Sequence, residues 1–414
     1  MHPIPIQKPT IDARDLEAIQ EPLKTGWLVQ GPFVAQFERL VSQYTGIKHA
    51  VATTSCTTAL HLALAVAGIG PGDEVIVPAL TFVATANAVV LCGARPVFCD
   101  IDPSTFVAGA GQIEKHITDK TKCIIPVSLF GMCCPMDEIN AVADRHGLIV
   151  IEDAACSLGS WRRGRHAGSQ AHMSVLSFHP RKVITTGEGG MLLTEDAVLA
   201  DRARMMRDHG AGKSDLTRHE DGGSLLPDYG FAGFNYRMTD IQGALGVSQM
   251  GKLGHILEKR REAAQWYQEV LKDLHWLIPP AIPDGDEPNY QSYVCLVCRP
   301  NRRMPAFDDI AGLNIRRNRL MGALEKAGVA TRQGTHAVHT LSAYKNRFRY
   351  DETDFHNAFL VDRLSITLPL FPGMSWEDVS QVVGLLKENW QICAVYLEFS
   401  IWAGSRYPRG CCRP

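Results

Sequence analysis

The sequence predicts an α/β protein with a mainly parallel sheet and a second, smaller α/β domain. From Val51 to about residue 195, continuous runs rich in valine and isoleucine alternate with helical patterns. Such runs are typical of parallel strands that crossover helices bury on both faces. The 414 residues are enough for two to three domains of ordinary size. A hydrophobic content of 45% and a charged content of 21% indicate a globular chain, and exclude a disordered or fibrous one.

The charge balance excludes several classes of partner. There are 42 lysine and arginine residues against 44 aspartate and glutamate residues, so the formal net charge is −2. A near-neutral chain has no electrostatic reason to bind nucleic acid or an anionic membrane surface. No uninterrupted apolar run approaches the ~18 residues of a membrane span, and the first residues lack the basic start and apolar core of a signal peptide. We therefore expect a cytoplasmic protein with no nucleic-acid or membrane partner.

The twelve cysteines show no regular spacing, so we expect reduced thiols and not a disulfide framework. Cys295 and Cys298 form a CxxC inside the apolar, strand-like run YVCLVC. Positions three apart on a strand point to opposite faces, so this pair is a poor chelator and no metal site is expected.

The chain divides into four predicted regions. A segment rich in Gly, Asp and Ser, residues 209–235, indicates a long loop. After it, a helical pattern with Thr239 as its N-cap continues to about residue 274. We predict an N-terminal segment that packs with the small domain, a large domain, a small C-terminal α/β domain and a frayed tail, with bounds 1–45, 46–250, 251–400 and 401–414.

Open parallel sheets bind ligands at the carboxyl ends of their strands, so functional residues are expected at these ends. One apolar strand ends at Ser177, and Lys182 follows in the segment SVLSFHPRKVITTGEGG. A lone lysine in a loop is most often a surface residue. The functional alternative is a Schiff-base lysine, whose amine becomes nucleophilic when it is desolvated or close to other cations.

A second strand ends in carboxylates, in the segment LIVIEDAACSLGS. The Asp153 carboxylate at the end of a buried strand is costly unless it is paired. It fits either a helix cap or structural ion pair, or a partner that keeps the pyridine nitrogen of a cofactor protonated.

Two further strand ends carry weaker signals. Cys56 and Thr57 lie where a strand turns into an amphipathic helix, in TTSCTTALHLAL. This pattern fits an ordinary Ser/Thr cap, or a helix N-terminus that binds phosphate. Phe82, in VPALTFVATANAVV, fits a core residue or an aromatic that stacks on a planar ring.

In chain order these segments resemble the fold-type I enzymes that use pyridoxal 5′-phosphate (PLP). More narrowly, the chain is similar to the DegT/DnrJ/EryC1/StrS family of sugar aminotransferases. The resemblance extends from GWLVQGPFVAQFE to about residue 388, and its most specific part is SFHPRKVITTGEGG. It implies a large domain, with a seven-stranded-type, mainly parallel sheet between helices, and a smaller C-terminal α/β domain.

The resemblance also implies a role for each candidate. Lys182 matches the lysine that binds the cofactor covalently and moves a proton at the substrate carbon. Asp153 matches the partner of the pyridine nitrogen, and Phe82 matches the aromatic on the ring face. The cofactor phosphate is expected to contact Cys56, Thr57 and Ser177.

In the family, the residue at Asn235 reaches the cofactor phosphate of the neighbouring subunit, which implies a homodimer with shared active sites. The implied activity transfers an amino group, typically from L-glutamate, to a nucleotide-linked keto-sugar. A cyclitol acceptor and a PLP-binding regulatory protein without turnover are the alternatives. A subgroup that dehydrates sugars has His in place of the lysine, and Lys182 argues against it.

Two positions depart from the family pattern: Cys156 stands where His or Gln is usual, and Ser128 where His is common. Both put a polar contact near the cofactor or substrate in question, because a thiol forms weak hydrogen bonds. Substrate contacts are expected in the polar segment ATRQGTHAVH and near the N-terminus, with Arg332, His336 and Trp27 as candidates.

Overall fold

The computed structural model describes residues 2–212, 228–300 and 302–404, with side chains as far as residue 391. Its strands are β1 (His49–Thr53), β2 (Glu74–Pro78), β3 (Leu80–Thr81), β4 (Arg95–Cys99), β5 (Thr121–Ile124), β6 (Ile149–Asp153), β7 (Trp161–Arg162), β8 (Arg165–His166), β9 (Met173–Ser177), β10 (Gly190–Thr194), β11 (Leu277–Ile278), β12 (Asp286–Glu287), β13 (Tyr293–Val297), β14 (His336–Ala337) and β15 (Ser365–Leu368).

The helices of the described residues alternate with these strands. They are α1 (Ala13–Thr25), α2 (Pro32–Thr45), α3 (Cys56–Val66), α4 (Ala84–Leu91), α5 (Ala110–Glu114), α6 (Met136–His146), α7 (Ala197–Arg207), α8 (Asp240–Met250), α9 (Leu253–Val270), α10 (Phe307–Lys326), α11 (Ser342–Phe348), α12 (His356–Leu364) and α13 (Trp376–Gly404), with 3₁₀ turns at Leu129–Gly131 and Val338–Thr340.

A seven-stranded sheet forms the centre of the large domain, in the order β1-β10-β9-β6-β5-β2-β4. The pairs from β9 to β4 are parallel, and β10 alone runs against its neighbours. Every residue of β9 and β10 is buried, as expected for strands covered on both faces. The predicted fold class, with its mainly parallel sheet between helices, is confirmed.

A second sheet lies in the C-terminal part of the chain. Its three strands are antiparallel, in the order β11-β13-β15, and α10 packs on α13 beside it. Trp390 of α13 stacks on Trp276 with 3.9 Å between ring centroids, and the Arg316 guanidinium of α10 lies over the same ring. Cys295 and Cys298 of the CxxC are both buried free thiols.

The N-terminal segment has contacts in two regions. Ile4 forms a parallel bridge to Val329, in the C-terminal part of the chain. By contrast, α1 and α2 pack on α8, which belongs to the range predicted as the large domain. The segment as a whole therefore does not pack with the small domain alone, and the domain bounds stay a prediction.

The helix predicted from Thr239 to about residue 274 is two helices, α8 and α9. Thr239 does cap the first of them, because its side chain accepts a hydrogen bond from the Gln242 backbone N–H. The break falls at Gly251 and Lys252, where Lys252 turns its buried ammonium group to the Asp15 carboxylate. The apolar periodicity continues through this point, so the pattern alone did not reveal the break.

Two other predictions concern segments that the structure describes only in part. The expected frayed tail begins inside α13, which is helical to Gly404, and residues 405–414 lie outside the described part. Residues 213–227 of the predicted long loop also lie outside it. Within the described part of the chain, no helix is both long enough and apolar enough to cross a bilayer.

Candidate active site

A cavity of about 540 Å³ opens at the carboxyl ends of the parallel strands. Residues that follow β1, β2, β5, β6 and β9 line it, so the edge of the sheet predicted to bind a ligand is the edge that holds the cavity. Of the residues singled out in the sequence, the cavity wall contains Cys56, Thr57, Phe82, Ser128, Asp153, Cys156, Ser177, Lys182 and Arg332.

The N-terminus of α3 forms one wall. Ser55 is the N-cap: its hydroxyl accepts a hydrogen bond from the Thr58 backbone N–H at 3.2 Å, and the Thr58 hydroxyl accepts one from the Ser55 N–H at 3.0 Å. The first N–H groups of a helix have no partner within the helix and carry a partial positive charge, which suits phosphate. Gly190 of β10 approaches this turn so closely that a Cβ there would lie 2.3 Å from the Ser55 carbonyl carbon.

Asp153 ends β6, and its carboxylate is held from two sides. Oδ2 accepts a hydrogen bond from the Thr85 hydroxyl at 2.8 Å, and Oδ1 accepts one from the Ala155 N–H at 3.1 Å. Burial raises the pKa of the Asp153 carboxyl, while Thr85, Ala155 and the nearby Lys182 ammonium counteract that shift. A cationic ring nitrogen beside this carboxylate would stabilise its ionised form further.

Lys182 lies in the irregular segment after β9, and its Nζ is 3.1 Å from the Sγ of Cys156. Burial opposes the charge on Lys182, but the surrounding acidic groups, Cys156 first and then Cys56 and Asp153, outweigh it and hold its pKa above the ordinary value. The amine therefore has several partners that favour its protonated form, and a bound cofactor or substrate must change that balance before the amine can react.

These features fit PLP. The cofactor has an aldehyde, a ring nitrogen, a phosphate and a flat ring, and the cavity has an amine, a buried carboxylate, a helix N-terminus and an aromatic side chain. Phe82 is 64% exposed at the cavity, so its ring is free to stack on a bound planar group.

Three predicted residues do not lie on the cavity wall. The Trp27 indole N–H donates to the Gln30 carbonyl at 3.2 Å. His336, on β14, is exposed, and its Nδ1 is 3.8 Å from the Asp362 carboxylate. Asn235 is exposed and forms a backbone bridge to Asp208. Their expected roles in binding substrate or cofactor therefore stay predictions.

Several wall residues were missed in the sequence. Thr85 orients Asp153 from the first turn of α4, and Arg181 and Gln291 also line the cavity. Thr85 lies only three residues after Phe82, but no local pattern connects it with a strand end 68 positions later. Gln291 lies 110 positions after Arg181 in the sequence, so only the folded structure brings it close to the lysine.

Comparison with known proteins identifies the family of the chain. A model of the DegT/DnrJ/EryC1/StrS aminotransferase family matches residues 9–387. The chain is 38% identical to GDP-perosamine synthase from Caulobacter vibrioides, over 93% of this chain and 98% of the relative. It is 37% identical to the spore coat polysaccharide biosynthesis protein SpsC from Bacillus subtilis, over 94% of this chain and 97% of the relative.

Solved structures show the same fold with the cofactor. The PLP-form of Spr1654 from Streptococcus pneumoniae has a TM-score of 0.85 at 29% identity, and covers 95% of this chain and 100% of that one. Its PMP-form (the pyridoxamine phosphate form) has a TM-score of 0.86 at the same identity, and covers 94% and 100%. The chain belongs to the DegT/DnrJ/EryC1/StrS family of PLP-dependent sugar aminotransferases.

Proposed function

We propose that this aminotransferase moves an amino group from L-glutamate to a nucleotide-linked keto-sugar. The observation that carries the proposal is the convergence of the Lys182 amine, the Asp153 carboxylate and the α3 N-terminus on one cavity. The nucleotide part draws support from a relative that is named for GDP-perosamine. A role in polysaccharide synthesis draws similar support from the name of SpsC.

Each residue of the cavity has its own proposed role in the reaction. Bound PLP supplies an aldehyde that captures amines and a protonated ring that accepts electrons when a substrate proton leaves. Lys182 holds the cofactor and then moves that proton. Asp153, which Thr85 and Ala155 hold in place, would stabilise positive charge at the ring nitrogen, and Cys56, Thr57 and Ser177 would bind the phosphate.

Two guanidinium groups make the cavity suitable for an anionic substrate. Arg332 lines it, and its buried Nε has no hydrogen-bond partner among the described residues. Burial lowers the pKa of Arg332, and the positive charge of nearby Arg181 lowers it further. An anion bound between Arg181 and Arg332 would offset both the burial of Arg332 and the repulsion between the two cations. We therefore propose that these arginines bind the carboxylate of the donor or the diphosphate of the acceptor.

The remaining assignments complete the proposal. We assign the protein to the cytoplasm, as a homodimer in which Asn235 of each subunit reaches the other subunit's cofactor. Trp27 and His336 lie outside the cavity wall, so they would contact only those parts of the acceptor that extend beyond it.

Replacement of the lysine tests the proposal. Lys182→Ala should lower turnover at least about 100-fold, because both cofactor attachment and proton transfer are lost. The visible absorbance band of the lysine-bound cofactor should be absent from this variant. The exposed Lys326→Ala variant is the matched control and should behave like the wild type. Steady-state transamination by Lys182→Ala at the wild-type rate would contradict the proposal.

Two additions to the same experiment identify the substrates. L-Glutamate should convert the visible band of the wild type to the band of the amine form of the cofactor, and an unchanged band would exclude glutamate as donor. Calorimetric binding of a nucleoside diphosphate would support a nucleotide-linked acceptor. Turnover of a cyclitol without such binding would favour the cyclitol alternative.

A further inference from the structure

We propose that Gln7 and Gln291 are positioning residues whose side-chain amides fix the backbone at Lys182 and thereby the site of its amine. The inference rests on the proposed role of Lys182. Gln7 lies near the N-terminus and Gln291 follows the lysine by more than 100 positions, and each donates to a main-chain carbonyl at or next to the lysine.

Lys182 lies where regular structure cannot hold it. β9 ends at Ser177, and the segment to Gly190 is neither helix nor strand. Its internal hydrogen bonds join residues on either side of the lysine, among them the Phe178 N–H to the Gly189 carbonyl at 2.9 Å and the Thr186 N–H to the Phe178 carbonyl at 3.0 Å. None of the bonds given within the segment is accepted by the Arg181 or Lys182 carbonyl, so these two carbonyls need donors from elsewhere in the chain.

Two glutamine amides supply those contacts. Gln7 Nε2 donates to the Lys182 carbonyl at 3.1 Å, and Gln291 Nε2 donates to the Arg181 carbonyl at 2.7 Å. The carbonyls of two successive residues are therefore held by two donors that lie far away in sequence, one before the lysine and one after it. Since the second residue of the pair carries the reactive amine, the two bonds restrain the rotation of its backbone.

Gln291 is itself rigidly mounted. Its carbonyl accepts a hydrogen bond from Arg260 Nη2 at 2.8 Å, and its N–H donates to Asn289 Oδ1 at 2.8 Å. Arg260 is fully buried, and it also donates to the Tyr290 carbonyl. A buried guanidinium committed to backbone carbonyls is costly to disturb, so the mount resists movement.

The same segment also contacts Cys156, the residue whose thiol lies next to the lysine amine. Asn289 Nδ2 donates to the Cys156 carbonyl at 2.9 Å, and the Cys156 thiol is the group 3.1 Å from Lys182 Nζ. The segment from Asn289 to Gln291 thus contacts the backbone at Arg181, next to the lysine, and the backbone at Cys156, whose thiol is close to the lysine amine. It sets the separation of the two groups.

Gln7 is mounted on a strap of the N-terminal segment. Ile4 bridges to Val329, and the Ile6 carbonyl accepts a hydrogen bond from the Leu370 N–H. Further along the strap, the Thr10 carbonyl accepts hydrogen bonds from Gln249 and Lys252. The strap is tied on both sides of Gln7, so the amide is presented to the lysine loop from a fixed position.

The test uses the holoenzyme with variants that keep side-chain size. Gln→Glu at position 7 or 291 places a carboxylate oxygen against a carbonyl oxygen, whereas Gln→Met removes the bond without repulsion. We expect kcat to fall about 10-fold or more in the Glu variants and less in the Met variants, because small errors of position are costly in catalysis. In the Gln7 variants the donor KM should stay within about twofold, since Gln7 is not part of the cavity wall.

A spectroscopic readout separates positioning from general stability. The pH at which the visible band of the lysine-bound cofactor titrates should shift in Q7E and Q291E. Gln170, whose amide donates to Asp137 on the surface, offers the matched control, and Q170E should leave kcat and the titration unchanged. If a Glu variant does not fold, the corresponding Met variant carries the same two measurements.

The failures of the two proposals are distinguishable. Full activity of Lys182→Ala would overturn the proposed function. An inactive Lys182→Ala variant beside glutamine variants with unchanged kcat and an unchanged titration would overturn the positioning role alone. Activity lost only in proportion to folded protein, with kcat per folded molecule unchanged, would overturn it as well.

Discussion

At the scale of single residues, the two adjacent carboxylates at the end of β6 are both buried, but only Asp153 lines the cavity. Successive residues of a strand point to opposite faces, so Asp153 reaches the cavity while Glu152 points away from it. Glu152 is fully buried; its Oε1 accepts a hydrogen bond from Ser128 at 2.5 Å and its Oε2 accepts one from the Gly168 N–H at 2.8 Å. Burial raises the pKa of Glu152 from 4.5 to about 7.

This raised pKa predicts a pH-dependent stability. Between pH 4.5 and about 7 the folded protein keeps a proton on Glu152 that the unfolded chain has released, so the free energy of unfolding falls as pH rises through this window. The loss from this group is about 3 kcal/mol over the window. In Glu152→Gln, which mimics the protonated acid, that fall should be absent.

Urea unfolding at pH 5 and pH 8 measures the difference. The stability of Glu152→Gln relative to the wild type should increase by about 2–3 kcal/mol between the two pH values. Glu258→Gln, at an exposed position of α9, is the control and should follow the wild type. Parallel pH profiles for Glu152→Gln and the wild type would refute the assignment.

The same scale shows which site residues sequence could reveal. Cys56, Phe82, Asp153 and Lys182 could be found because each follows an apolar strand, which is a local pattern. The residues that hold them could not. Gln7 meets its partner across 175 positions, and Gln291 meets its partner across 110. No periodicity in the chain records contacts of that separation.

At the scale of elements, the N-terminal turn of α3, which we propose binds the cofactor phosphate, lies against β10. Gly190 lies between Ser177 and Thr53 in the sheet, directly below the start of the helix. Its Cβ, if present, would lie 2.3 Å from the Ser55 carbonyl carbon and 2.5 Å from the Cys56 nitrogen. The neighbour is backbone, so a side chain here displaces the helix N-terminus and does not merely rotate another side chain.

Gly190→Ala should therefore weaken cofactor binding. We expect the dissociation constant for PLP, measured by absorbance titration, to rise about 10-fold, which corresponds to about 1.4 kcal/mol. Gly322→Ala is the control: a Cβ there meets nothing within 4 Å, and alanine is the better helix former in α10. An unchanged affinity in Gly190→Ala would show that the helix start tolerates the shift.

Another element-scale feature is the break between α8 and α9. The apolar pattern predicts one helix, but the structure breaks it at Gly251 and Lys252, where the Lys252 ammonium lies against Asp15. The partner of Lys252 is more than 200 positions away, so no local pattern indicates this contact. The N-cap at Thr239 could be predicted because capping uses residues three apart.

At the scale of the whole molecule, Asn235 distinguishes a single chain from an assembly. Within one chain it is exposed and outside the cavity wall. Large apolar side chains nearby in the fold or at the cavity mouth are also exposed, among them Phe82 and Tyr229, at 64% and 54%. In the proposed homodimer, a second copy would cover these groups and bring Asn235 to the cofactor of the other subunit.

Subunit mixing tests the shared site. In co-expressed Lys182→Ala and Asn235→Ala chains, random pairing in a two-fold dimer should restore about a quarter of the wild-type sites, because each mixed dimer keeps one complete site. Lys182→Ala alone should be inactive. Activity of the mixture that equals the sum of the separately purified variants would show that Asn235 serves its own chain or none.

The roles of Lys182, Asp153 and the α3 N-terminus rest on the family resemblance and stay proposals. What the sequence determined by itself was the class of fold and the edge of the sheet that carries the cavity. These follow from strand runs, strand ends and helix starts, which are local properties of a chain. Only the tertiary structure decided how the site is held: Thr85 on Asp153, Gln7 and Gln291 on the lysine loop, and Arg332 beside Arg181. Each of these contacts joins segments far apart in sequence, and their geometry exists only once those segments have packed against the sheet.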